Sequence, residues 1–149
     1  MGSRSRVATL FATATLLAGA TLVSGAGTAG AAGVDDFTFK VQRDPKKSFG
    51  VVVYNKGRYA GMAYWQANPI ADQNIPGDAL QAVDSLKDGW SIEAILMPVD
   101  RTVSTSGHTA PYISPYKTGN LAEGTTVKLR ACASKGLNSS CSDYYSGRA

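Results

Sequence analysis

Asp78, Asp84 and Asp88 are the one acidic concentration in the middle of the chain, and three carboxylates near a turn supply the oxygen ligands that Ca²⁺ prefers. Their spacing does not complete such a site. Counted as an EF-hand loop from Asp84, the third position falls on Leu86 and the twelfth on Ile95, so two ligands are missing. Asp also initiates turns by bonding its own backbone, and Asp88-Gly89 directly ahead of Trp90 suits that role. His108 is the single histidine, so a zinc site would need Asp and Glu for its other ligands. Ser104 and Ser106 stand beside it, but the chain has no Gly-x-Ser-x-Gly elbow to present a nucleophile. Glu93 and Glu123 are the simplest carboxylate pair for glycoside hydrolysis, and nothing in their placement makes them converge. The residue types therefore predict no metal, no cofactor and no assembled catalytic set.

Cys132 and Cys141 are the only two thiols, and an oxidising compartment would join them in one structural disulfide. If the strands carrying them are antiparallel with the cysteines directly opposed, the pairing sets Arg130 opposite Asp143 and Leu129 opposite Tyr144. The first pair would be an exposed ion pair worth about 0–1 kcal/mol, reporting register more than supplying stability.

The elements that must position these residues read as strands. Short alternating or β-branched runs are separated by Gly, Pro, Asn and Asp, and no long stretch carries a helical apolar stripe. The runs are Phe37 to Gln42, Gly50 to Tyr54, Arg58 to Ala67, Ala79 to Val83, Trp90 to Met97, Thr125 to Ala133 and Ser142 to Ser146. About seven short strands predict an all-β, antiparallel β-sandwich. A period of two places Trp90, Ile92, Ala94 and Leu96 on one buried face and Val127, Leu129, Ala131 and Ala133 on another. In Arg58 to Ala67 the set Tyr59, Gly61, Ala63 and Trp65 competes with Met62 and Tyr64, which predicts a strand covered on both sides with a bulge near Gly61. Asn138-Ser139-Ser140 has the form of a glycosylation sequon and is expected to make a polar hairpin tip.

Gly77-Asp78-x-Leu80, Asp84, Asp88-Gly89, then Asn120-Leu121-x-Glu123-Gly124-x-x-Val127-x-x-Arg130-x-Cys132 and Cys141-Ser142 resemble a group of small secreted actinobacterial proteins. That pattern covers roughly residues 77 to 142. The segment before Val127 is also similar to the end of a fibronectin type III domain, with Glu123 where that family has Pro and Val127 where it has Tyr. The resemblance implies an immunoglobulin-like, fibronectin type III-like sandwich architecture and no particular activity. The missing Tyr removes the corner hydroxyl of immunoglobulin-like sandwiches.

Arg4 and Arg6 precede an apolar run from Val7 to Val23 and a small-residue stretch containing Ala29-Gly30-Ala31, the pattern of a secretory signal. Residues 1–32 are expected to be that signal and residues 33–149 one secreted domain. About 118 mature residues would bury on the order of 65% of their unfolded surface. Removing Arg4 and Arg6 lowers the net charge from +4 to +2, and only Lys46-Lys47 stand together as a basic run. That excludes a nucleic-acid footprint, which needs a concentrated basic face. No membrane association is expected once the signal is cleaved, because the apolar run is short and diluted by Thr and Gly.

Function would then sit on the connections. Asp100 to Gly124 reads as a 25-residue loop carrying His108, Tyr112, Tyr116 and Lys117, the candidate binding loop, and Asn68 to Gly77 as a shorter one. The expected protein is a monomeric, extracellular, non-catalytic module that binds a ligand or another protein. The alternatives are an inhibitor of a secreted hydrolase, a small hydrolase using His108, and a cell-surface or spore-coat component.

Overall fold

The computed structural model describes residues 36–149; the expected leader, residues 1–32, lies outside the described residues. Ten strands follow in order: β1 (Phe37–Arg43), β2 (Phe49–Asn55), β3 (Arg58–Gln66), β4 (Ala79–Asp84), β5 (Ser91–Met97), β6 (Arg101–Ser104), β7 (Tyr112–Ile113), β8 (Thr126–Lys135), β9 (Asn138–Cys141) and β10 (Tyr145–Arg148). One sheet runs β1-β2-β3-β4-β7 and the other β10-β8-β5-β6, with β9 also paired to β8. Every pairing is antiparallel. Among the described residues no helix is long and apolar enough to cross a membrane.

The two-layered all-β architecture follows from the alternation. Val51, Val53, Ala63, Trp65, Leu80 and Ala82 of the first sheet meet Ile92, Ala94, Leu96, Val127, Leu129 and Ala131 of the second, all in one buried cluster. Each buried Val, Ile or Leu contributes about 1.5–3 kcal/mol relative to exposure, so this seam is the main source of stability.

The expected count of about seven strands is corrected to ten. β6 and β7 arise inside the segment read as a loop, and they are short edge strands with little room for a period-two signal. β9 precedes the run expected at Ser142 to Ser146, and the hairpin tip is Gly136-Leu137, so Asn138-Ser139-Ser140 lies in the strand.

Cys132 and Cys141 are bonded and directly opposed, as the pairing argument requires. The register then slips by one residue. Ala131 still pairs with Ser142, whose N–H reaches the Ala131 carbonyl at 2.9 Å and whose Oγ accepts the Ala131 N–H at 3.1 Å. Beyond it, however, Leu129 is opposite Tyr145 and not Tyr144. The extra residue turns Tyr144 outward, where the Arg130 guanidinium lies 5.4 Å from its ring centroid, and Tyr145 takes the place against the core. Among the described residues no Arg130–Asp143 ion pair forms.

The bulge in β3 falls where Gly61 suggested. Val53 pairs with Gly61 but Tyr54 with Tyr59, leaving Ala60 as the inserted residue. Ala60 therefore enters the core and Tyr59 leaves it, to meet Tyr54 edge-on at 6.3 Å. A Cβ on Gly61 would stand 2.0 Å from the Val83 carbonyl oxygen, so no other residue fits.

Candidate functional site

β4 alternates inward at Leu80, Ala82 and Asp84, so the period that builds the core also delivers a carboxylate to its end. Asp84 is 4% exposed. Burial pushes its carboxyl up from 3.8 to about 6; the Leu86 backbone N–H lowers it, and the neighbouring Asp88 raises it further.

The connection to β5 is built from Asp turns. Asp84 Oδ1 accepts the Leu86 N–H at 3.3 Å, and Asp88 Oδ1 accepts the Trp90 N–H at 3.0 Å, with Gly89 at φ +78° between them. The expected turn chemistry of Asp88-Gly89 holds. Asp88 Oδ2 also accepts from Asn55 Nδ2 at 2.6 Å, which ties this turn to the end of β2. The turn delivers Trp90 edge-on against Phe37, with ring centroids 4.8 Å apart. Trp90 is buried, and its Nε1 has no hydrogen-bond partner.

His108 arrives from the other side. Thr105 is fully buried and clamps to β5, its Oγ1 accepting the Ile92 N–H at 2.8 Å and its own N–H reaching the Ile92 carbonyl at 2.9 Å. A tight turn follows, in which Ser104 Oγ accepts the Ser106 N–H and Gly107 takes φ +83°. The His108 N–H closes it on the Thr105 carbonyl at 3.2 Å. The imidazole then stacks on Tyr112, with centroids 3.7 Å apart and planes within 3°. Tyr112 is itself the β7 partner of Asp84.

These pieces border an open cavity of about 420 Å³ whose lining includes Asp84, Lys87, Trp90, His108 and Lys135. That volume lies within the roughly 300–1,000 Å³ of small-molecule sites. Comparison with protein-family models, with curated proteins and with solved structures returns no match.

Of the candidate binding loop, the structure brings His108 and Tyr112 together and separates them from the other two. Lys117 pairs with Leu80 at the opposite end of β4, exchanging backbone bonds of 2.9 and 3.0 Å, while its Nζ donates to the Thr102 carbonyl. Tyr116 precedes it in the chain, beyond the end of β7. Asp78 is likewise roughly 20 Å from Asp84 along β4, and its Oδ2 accepts the Leu121 N–H at 2.8 Å. Among the described residues no group of three or more His, Cys, Asp or Glu gathers in a metal-ligating arrangement. Glu93 faces outward in mid-β5, and Glu123 bonds Lys47 at 3.2 Å in an exposed turn. Ser104 and Ser106 do not engage the His108 ring, which lies flat on Tyr112.

In the sequence Asp84 is a candidate calcium ligand set aside as a turn former, and Trp90 is no site candidate. The signal for Asp84 was its place four residues after Leu80 and two after Ala82, an inward register that its turn-forming habit masked. Trp90 was readable only as core. Lys87 and Lys135 carry no signal in the sequence, since charged residues beside Gly are ordinary in turns.

Proposed function

We propose that the chain is an exported, non-catalytic binding module whose ligand enters the cavity bounded by Asp84, Trp90 and His108. The cavity's lining carries the reading: the buried Asp84 carboxyl stands there with the exposed Lys87, His108 and Lys135. The signal-like residues 1–32 and the Cys132–Cys141 bond support export. The strand neighbours support an immunoglobulin-like reading of the sandwich: β4 pairs with β7, β5 with β8, and the chain changes sheet between β4 and β5, between β6 and β7 and between β7 and β8. β1 and β2 then extend the first sheet beyond that core.

A hydrolase is the second reading, favoured by one observation. Asp84, with its carboxyl pushed up to about 6, lines the same cavity as His108, and a carboxyl raised toward neutral pH suits general acid catalysis. Incubation with purified cell walls, chitin and cellulose separates the two. Binding predicts retention on at least one of these matrices, reduced in Lys87→Ala/Lys135→Ala, with no soluble sugar or peptide released. Release of product that falls in Asp84→Asn would replace this reading with the hydrolase.

A further inference from the structure

The outer face of the first sheet is apolar where a sandwich normally meets water. Val51, Val53, Ala63 and Ala82 point into the core, so the alternate residues Val52, Met62 and Val83 point away from it. The registers align them in one row across the sheet: Lys40 pairs with Val52, Val52 with Met62, Met62 with Val83, and Val83 with Ile113. Val52 is buried, Met62 and Val83 are half-buried, and Ile113 is 61% exposed. Tyr54 and Tyr59 flank the row on one side and Tyr64 and Gln81 on the other. The Lys40 ammonium, 5.4 Å from the Tyr54 ring centroid, is the one charge in the row. The second sheet is built differently, with Glu93, Lys128 and Arg130 among its outward positions. Met62 and Tyr64 are also the residues whose pattern predicts a β3 covered on both sides. The second sheet covers one side; among the described residues no strand packs on the other.

Symmetry, charge and size together select a second copy of this chain as the cover. The row is symmetric about β3, since Val52 and Val83 stand one strand to either side of Met62. A two-fold axis parallel to β3 sets Val52 against Val83, Met62 against Met62, and Lys40 of each copy over Ile113 of the other. The two ammonium groups then lie about 19 Å apart, beyond the reach of screened repulsion. Apolar side chains meet at the centre and tyrosine hydroxyls fall on the rim, which is the anatomy of a protein interface. A partner bringing charges of its own would leave them facing Met62 and Val83 without counter-charge. Five strands about 4.8 Å apart and three outward rows about 6.8 Å apart give a footprint of about 500 Å² per copy, so about 1,000 Å² in all, the lower limit for a specific contact. We propose that two copies of the chain associate reversibly through these outer faces, sheet on sheet about an axis along β3, in place of the monomer expected from the sequence.

Analytical ultracentrifugation between about 1 and 500 µM tests this, with an interface of this size expected to give a dissociation constant on the order of 10 µM. Ile113 is exposed, so charging it should leave the fold intact, as circular dichroism checks. Ile113→Lys sets an ammonium against Lys40 of the second copy and raises the dissociation constant about tenfold or more. Ile113→Glu sets a carboxylate there instead and associates about tenfold more tightly than Ile113→Lys. Adding Lys40→Glu to Ile113→Lys restores the dimer. A protein still monomeric at about 500 µM, or one weakened equally by the two Ile113 substitutions, would overturn the proposal. Monomers whose retention on cell walls, chitin or cellulose falls in Ile113→Lys would overturn it in favour of a polysaccharide on this face.

Discussion

Asp84 occupies a position that the sandwich would give to an apolar side chain, and its proton is how the fold tolerates it. The folded carboxyl titrates at about 6 where the unfolded one titrates near 3.8. Between those values the folded chain keeps a proton that the unfolded chain has lost. The favourable contribution is thus full below about pH 4 and disappears as pH rises through 6. A fully shielded group would lose about 3 kcal/mol over that interval; solvent entering through the cavity reduces this to about 1–2 kcal/mol. Asp84→Asn keeps an oxygen for the Leu86 N–H and does not titrate. Urea unfolding at pH 4 and pH 7.5 should show wild type losing about 1–2 kcal/mol relative to the variant at the higher pH. Parallel behaviour of the two proteins would mean the carboxyl is effectively solvated. At this scale the sequence was legible where one property ruled a residue, as in Asp88-Gly89. It was ambiguous at Asp84, where turn-forming chemistry and inward register coincide in a single side chain.

The same division runs through the elements. The faces of β5 and β8 were readable because the period holds across four inward residues in each stretch, Trp90 to Leu96 and Val127 to Ala133, and the disulfide pairing was readable because only one partner existed. The slip between β9 and β10 was not, since it turns on Ser142 using its own hydroxyl and N–H to hold Ala131, after which one residue is left over. β6 and β7 escaped because four and two residues are too short to show a period. Two predictions belong here. Replacing both cysteines with Ala frees a short loop and should lower stability by about 2.5–3 kcal/mol, seen as a lower urea midpoint with little change in slope. Gly61→Ala drives a methyl into the Val83 carbonyl and should cost about 3 kcal/mol or more. Near-neutral behaviour of that variant would show that β3 and β4 separate more easily than their pairing implies.

For the molecule as a whole, the decisive feature is that the long 100–124 segment is bound along its length. Arg101 closes one end, its guanidinium donating to the Asp78 carbonyl, lying 5.9 Å from the Trp65 ring centroid and pressed by Gly119, where a Cβ would meet it at 2.0 Å. Farther along, the Ser114 N–H reaches the Ala82 carbonyl and the Lys117 N–H the Leu80 carbonyl, each at 2.9 Å, so the segment continues the first sheet beyond β4. A wall anchored this way holds His108 and Tyr112 in place before any ligand arrives, which reduces the ordering cost of binding. Hydrogen exchange measures that anchoring directly. The amides of Ser114 and Lys117 should exchange through near-global opening, whereas exposed Gly107 and Thr109 at the cavity mouth should exchange rapidly. Rapid exchange at Ser114 and Lys117 as well would mean that this wall forms only around its ligand. His108 and Tyr112 would then belong to a closing segment, and binding at this end of the sandwich would carry the entropy of folding it.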